Sequence, residues 1–328
     1  MQLTTRLAQA AEWTALLEAS ERDYALSQTF EFGAALGRAY PEYTHEPLLV
    51  EFDDNVRVLL PLIRFCGRAR FLRSYEAMPL SLNGTPVAVG AGASARHIEL
   101  AIQSLRADSL QISGGCLDSP RATLEVEGLA ATEFHTHALS LDGDFERVWT
   151  ERFSGKVRNQ CRMAERKGVE VSTAATIAEF EVYHAVYVES TRRWGYAAPP
   201  YPPALFRELG ALANRGVELK LARVEGEVVA GILLFHGRRS TFYWSAAMLK
   251  EHSAFCPNNA LLHAAIREAC LRGVKLFDFG ASGHMDSVQK YKESFGAVPH
   301  AYHNYKLTTP LYRVTMSARR RLSRVPVA

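Results

Sequence analysis

Three groups of residues carry candidate chemistry. Arg158, Arg162 and Arg166 recur at i, i+4 and i+8, so on a helix they share one face, with Lys156 and Asn159 nearby. Such a stripe suits the phosphates of a donor or of a nucleotide- or lipid-linked acceptor, because guanidinium forks match phosphate geometry. The plain alternative is a solvated helix face, paired in part by Glu165. Asp278 closes the apolar run Leu276–Phe279, and Gly280 and Gly283 follow it. A carboxylate at a strand end either positions and deprotonates an acceptor or caps its own turn. Lys292 comes a few residues later, where its charge suits an oxyanion or a phosphate. Lys290 faces elsewhere on a helix and is the weaker choice.

The aromatic run Trp194-Gly195-Tyr196 with Tyr201 reads as a wall of an acceptor cleft or as a packed loop. On the strand Ser240–Ala247, alternation puts Tyr243 and Ser245 on one side and Trp244 on the other. His236 and His284 are lone histidines, which are structural more often than catalytic. No GxSxG elbow occurs, and none of the five cysteines (66, 116, 161, 256 and 270) sits in a nucleophile or CxxC motif. The chemistry expected is direct attack by an acceptor amine or hydroxyl on a held acyl carbonyl, with no covalent enzyme intermediate and no metal.

These residues need a scaffold to position them. The chain has 328 residues, 48% hydrophobic and 22% charged, enough for two domains of about 150 residues. Disordered and collagen-like classes are excluded, and no apolar run reaches membrane-spanning length. The polar start MQLTTRLAQAAEW lacks the core of a secretory signal, and the scattered cysteines suit a reducing cytoplasm. Net charge is +3, but five arginines and no acids lie between Arg313 and the end, so the remainder carries +3 less five, or −2. That balance argues against a general nucleic-acid binder, DNA included. The tail around Arg319-Arg320-Arg321 and Arg324 is either solubilising or a contact for anionic lipid or RNA.

Periodicity predicts helices at Glu12–Arg22, Glu31–Tyr40, Ser94–Arg106, Phe145–Lys167, Ile177–Trp194, Pro203–Asn214, Asn259–Arg272 and Ser287–Phe295. Hairpins are predicted across Asp53-Asp54-Asn55 and Glu225-Gly226-Glu227. Asp54 and Gly226 lie 172 residues apart, and Ile112 and Phe279 lie 167 apart. Two such similar offsets point to a duplicated unit. The expected division is residues 1–144, residues 145–310 with the main site, and a basic tail from 311 to 328.

Several segments carry a family resemblance. Lys156-Val157-Arg158-Asn159 through Arg166-Lys167-Gly168-Val169, the strand end Phe277-Asp278-Phe279-Gly280, and Lys290-Tyr291-Lys292-Glu293-Ser294-Phe295-Gly296 together resemble the FemABX-like and BioF2-like GNAT acyltransferases. Met78-Pro79-Leu80 with Asn83-Gly84 resembles a loop of the same group. The resemblance implies an α/β (α+β) fold of two tandem GNAT-like domains, with mixed sheets flanked by helices. It implies transfer of an acyl or aminoacyl group to an amine or hydroxyl of a cell-envelope or polysaccharide precursor. Asp278 and Lys292 would be catalytic, and Lys156, Arg158, Arg162, Trp194, Tyr196, Tyr243 and Ser245 would bind substrate or donor. Acyl-CoA, acyl carrier protein or aminoacyl-tRNA would be the donor, with no tightly bound cofactor. Apart from the resemblance, the cysteines and the basic tail lead to an expected place in the cytoplasm, with the tail either solubilising or in peripheral contact with the inner membrane surface. The Q/R-x-x-G-x-G/A pyrophosphate loop of acetyl-CoA-binding GNAT domains is absent after the third strand of the second half. Its absence keeps a second expectation standing, a non-catalytic GNAT pair that binds RNA or an envelope precursor.

Overall fold

A computed structural model describes residues 1–65, 71–117, 123–141, 143–283 and 285–322, with side chains described to residue 318. His284, Cys66 and Arg324 lie outside the described residues, as do the side chains of Arg319 to Arg321.

The first half runs β1 (Leu3–Leu7), α1 (Ala10–Ala19), α2 (Phe30–Ala39), β2 (Tyr43–Phe52), β3 (Arg57–Phe65), β4 (Ser74–Ala77), β5 (Val87–Val89), α3 (Ala95–Ser104), β6 (Ser109–Ile112) and β7 (Leu129–Ser140). The second half runs α4 (Phe145–Arg147), a π-helical turn (Val148–Arg152), α5 (Gly155–Arg166), β8 (Glu170–Thr173), α6 (Ile177–Arg193), α7 (Pro203–Ala211), β9 (Val217–Val224), β10 (Glu227–His236), β11 (Ser240–Met248), α8 (Pro257–Leu271), β12 (Leu276–Ala281), α9 (Asp286–Glu293), β13 (Val298–Thr308) and α10 (Pro310–Leu322).

All these strands join one mixed sheet in the order β1-β2-β3-β4-β6-β13-β7-β12-β11-β10-β9-β8, with β5 beside β3. The internal repeat is plain in the pairing. In each half three antiparallel contacts lead to one parallel contact, β4 with β6 and β11 with β12. The last strand of each half then crosses over. β7 pairs with β12, β13 pairs with β6, and the two pair antiparallel with each other, from Val298 opposite Ala138 to Leu307 opposite Leu129. An approximate two-fold axis therefore passes between β7 and β13.

Helices cover both faces. α2, α6 and α7 bury one core that draws on both halves, with Phe32, Leu36 and Ile63 packed among Phe180, Tyr183, Leu219 and Phe235. α5 and α8 bury the opposite face of the second half through Val157, Leu262, Ile266, Phe277 and Phe295. α3 covers the corresponding face of the first half.

The structure corrects several local expectations. The helix expected over Phe145–Lys167 is broken: Phe153 and Ser154 are extended, and the Ser154 hydroxyl caps α5 by accepting the Val157 amide. The break turns Phe153 into the core, against Phe295 and Trp149, which an unbroken helix could not do. β1 and β5 were not foreseen, because both are short and β1 is mostly exposed.

Candidate functional site

The site begins where two parallel strands part. β11 and β12 pair only across Ser240–Phe242 and Leu276–Asp278, and beyond Phe242 β11 pairs with β10 alone. Two local features force the separation. In β11, Leu233 opposes Ser245 while Leu234 opposes Tyr243, so Trp244 is a bulged extra residue. In β12, Gly280 adopts φ +74°, and a Cβ there would meet the Phe242 ring at 3.2 Å. A β-branched or bulky residue could not hold that turn.

The bulge corrects the expected alternation. Ser245 faces the same side as Trp244, with its hydroxyl 3.2 Å from the buried Tyr183 hydroxyl, between β11 and α6. Trp244 stacks between Tyr201 and Phe235, at 4.7 and 5.1 Å.

The gap opens into a cleft of about 670 Å³ whose walls come from both halves. Leu80, Ser81, Asn83 and Gly114–Leu117 contribute from the first half, and Tyr243, Trp244, Phe279, Tyr291 and Lys292 from the second. Thr136 of β7 and Tyr302 of β13 also line it, because the crossed strands lie between the two halves.

Lys292 and Asp278 both reach this cleft. Lys292 is only 4% exposed, and its ammonium donates to the carbonyls of Gly280 at 2.7 Å and Ala281 at 2.8 Å. Burial pushes its pKa down to about 8, and the Asp278 charge acts in the opposite direction. Asp278 is buried, and its Oδ1 accepts from the Gly280 amide at 2.8 Å and from the Thr136 hydroxyl. Behind them, the Tyr291 hydroxyl and Asn258 Oδ1 are buried without a hydrogen-bond partner, and both residues line the cleft. Burial raises the Tyr291 pKa well above the ordinary phenol value, so the group stays protonated. Asn258 lies in the first turn of α8, which starts at Pro257 after the left-handed Cys256.

The other expected residues are spread more widely. Trp194 and Tyr243 line the cleft, whereas Tyr196 is exposed outside the lining. Lys156 is exposed on α5. The Arg158 guanidinium donates to the carbonyls of Trp149 at 3.2 Å, Thr150 at 3.1 Å and Phe153, where the π turn ends. Arg162 lies over the Trp149 ring, 5.7 Å from its centroid. These three are not among the lining residues. His236 belongs to a separate charged cluster, 2.6 Å from Glu218, which also holds Lys220 and Arg272. Lys290 is exposed. Sequence reasoning missed Thr136, Asn258 and Tyr302 as lining residues. Among the described residues, no group of three His, Cys, Asp or Glu side chains could hold a metal ion, and no helix is long and apolar enough to cross a membrane.

Comparison with known proteins bears on the same segment. Residues 151–293 match the family model described as an acetyltransferase (GNAT) domain, a span that contains β11, Asp278, Tyr291 and Lys292. This segment resembles a GNAT domain. The whole chain shares the fold of the FemX crystal structure, with a TM-score of 0.71 at 12% identity over 95% of this chain and 99% of that one. A tandem GNAT protein from the clavulanic acid biosynthesis pathway gives 0.52 at 13% identity, covering 93% and 97%. L-PGS from Bacillus licheniformis gives 0.52 at 14% identity, covering 96% of each chain. No curated protein matches the sequence. The expected tandem GNAT architecture of FemABX-like proteins is thus borne out in the fold.

Proposed function

We propose that this protein is an acyltransferase that moves an acyl or aminoacyl group to an amine or hydroxyl of a cell-envelope or polysaccharide precursor. The carrying observation is the open gap between β11 and β12 with the buried Lys292 beside it. The donor is an acyl-CoA thioester or an aminoacyl-tRNA ester; the GNAT match favours the thioester. FemX and the L-PGS structure lend the envelope reading its direction, through fold alone.

In this reading the donor carbonyl enters the gap, where the β11 backbone beyond Phe242 has no strand partner on the β12 side. The acceptor nitrogen or oxygen attacks the carbonyl carbon. Lys292 offsets the negative charge that develops on the carbonyl oxygen. Collapse breaks the C–S or C–O bond, and the Tyr291 phenol gives its proton to the leaving sulfur or oxygen. The proton lost by the acceptor restores the phenol through solvent. Asp278 acts as a positioning residue that keeps Lys292 charged and fixes the Gly280 turn. Aromatic rings along the cleft, Trp194, Tyr201 and Trp244, hold the acceptor. Lys156, Arg158 and Arg162 remain proposed contacts for donor or acceptor phosphates, on the α5 surface rather than in the cleft.

The test is a panel of acetyl-CoA, longer acyl-CoAs and charged tRNA with amine and hydroxyl acceptors, read by mass spectrometry. A new acyl adduct on an acceptor supports the reading. Thermal stabilisation by an acceptor or RNA, with no adduct from any donor, would instead establish a binding module.

A further inference from the structure

We propose that the edge of the first half where α10 begins docks on an anionic phospholipid bilayer. Two backbone contacts and one from backbone to side chain assemble this edge. The Thr309 amide donates to the Asp108 carbonyl at 2.8 Å, the Asp108 amide to the Arg73 carbonyl at 2.8 Å, and the Arg73 amide to the Asp108 carboxylate at 2.9 Å. The start of α10 therefore lies beside the segment that carries Phe71. Phe71 is 69% exposed, although its neighbour Leu72 is buried.

α10 rests on the body through one face only. Tyr312, Thr315 and Met316 are half-buried, while Leu311 is 55% and Val314 68% exposed. At the helical period, Leu311, Val314 and Ala318 fall within a stripe about 60° wide, turned away from Tyr312 and Met316 and flanked by Thr315. Arg313 is exposed on the same helix, and Arg319, Arg320 and Arg321 lie in its last turns. No acidic residue follows Arg313 in the sequence.

The combination selects the partner. Thirteen residues are too few to span a bilayer, for which about 20 are needed. An apolar stripe on a helix that also carries Arg313 and three arginines in its last turns suits the interface, where side chains enter the acyl boundary and guanidinium groups meet lipid phosphates. A polyanion such as RNA would use the arginines but would leave Leu311, Val314 and Phe71 in water. The absence of acids after Arg313 favours an anionic surface over a mixed protein one.

The experiment is co-sedimentation of the full chain with vesicles of phosphatidylcholine, alone or mixed with phosphatidylglycerol. Each arginine near an anionic surface contributes about fivefold in binding, so phosphatidylglycerol should raise partitioning about tenfold or more, and added salt should reverse this. The doubly substituted Leu311→Ser, Val314→Ser chain should lose about tenfold, and Phe71→Ser should also weaken binding. Equal partitioning onto both vesicle types would overturn the proposal. So would unchanged binding by the serine variants, or binding to an RNA oligomer with none to vesicles.

Discussion

Asp278 and Lys292 grip opposite sides of the same residue. The Asp278 carboxylate accepts the Gly280 amide proton at 2.8 Å, and the Lys292 ammonium donates to the Gly280 carbonyl at 2.7 Å. The turn that ends β12 is thus clamped by a buried carboxylate and a buried ammonium, which feel each other's charge across it.

That clamp sets a pH dependence. With the Lys292 pKa pushed down to about 8, turnover that needs the ammonium falls as pH rises through about 8. Asp278 raises this pKa, so Asp278→Asn moves the falling limb to lower pH. Profiles of kcat from about pH 6 to about pH 11, which bracket the ordinary lysine value of about 10.4, read both effects. An unshifted limb in Asp278→Asn removes Asp278 from its positioning role.

Stability and activity should separate at Lys292. Its folded pKa lies below its unfolded value, so the unfolded chain binds more protons between about 8 and 10.5 and stability rises with pH across that window. Lys292→Met removes this rise in a melting-temperature series. Its loss of kcat should be on the order of 10²–10³.

Tyr291 should show the same opposition. Its buried hydroxyl has no partner, and such a group costs about 1–3 kcal/mol. Tyr291→Phe is expected to melt at higher temperature and to turn over more slowly, most of all with poor leaving groups. Unchanged kcat with every donor would take the phenol out of the chemistry.

Gly280→Ala tests the turn itself. An alanine at φ +74° costs about 1–2 kcal/mol, and its Cβ presses on Phe242. The variant should melt lower and lose turnover while acceptor KM changes little. Equal losses in affinity and rate would mean that the turn shapes the acceptor wall instead.

Arg158→Ala distinguishes two uses of one guanidinium. Its hydrogen bonds to the Trp149, Thr150 and Phe153 carbonyls predict a lower melting temperature and a stability loss of up to about 1.5–3 kcal/mol. A raised KM with unchanged melting would assign it to phosphate binding.

Much of this was legible in the sequence where the signal is local. Phe277-Asp278-Phe279-Gly280 reads as a strand end, and the short distance to Lys292 keeps the two side chains close. The duplication shows in hairpin offsets because both halves keep the same element order. What stayed hidden is non-local or backbone-made. Thr136 and Tyr302 reach the cleft only because β7 and β13 cross between the halves, and no periodicity reports a crossed strand. Trp244 and Ser245 share a side because of one bulged residue, which strict alternation overlooks. Helical spacing showed that Arg158 and Arg162 share a face; it carried no information that a π turn and Trp149 lie against that face.

The most direct test is acyl transfer by the wild-type chain beside Lys292→Met, followed by mass spectrometry across thioester and aminoacyl-tRNA donors. The account predicts an acceptor adduct with the wild type and a rate lower by about 100-fold or more in the folded Lys292→Met chain. An adduct formed equally fast by both, or by neither with any donor, would contradict it.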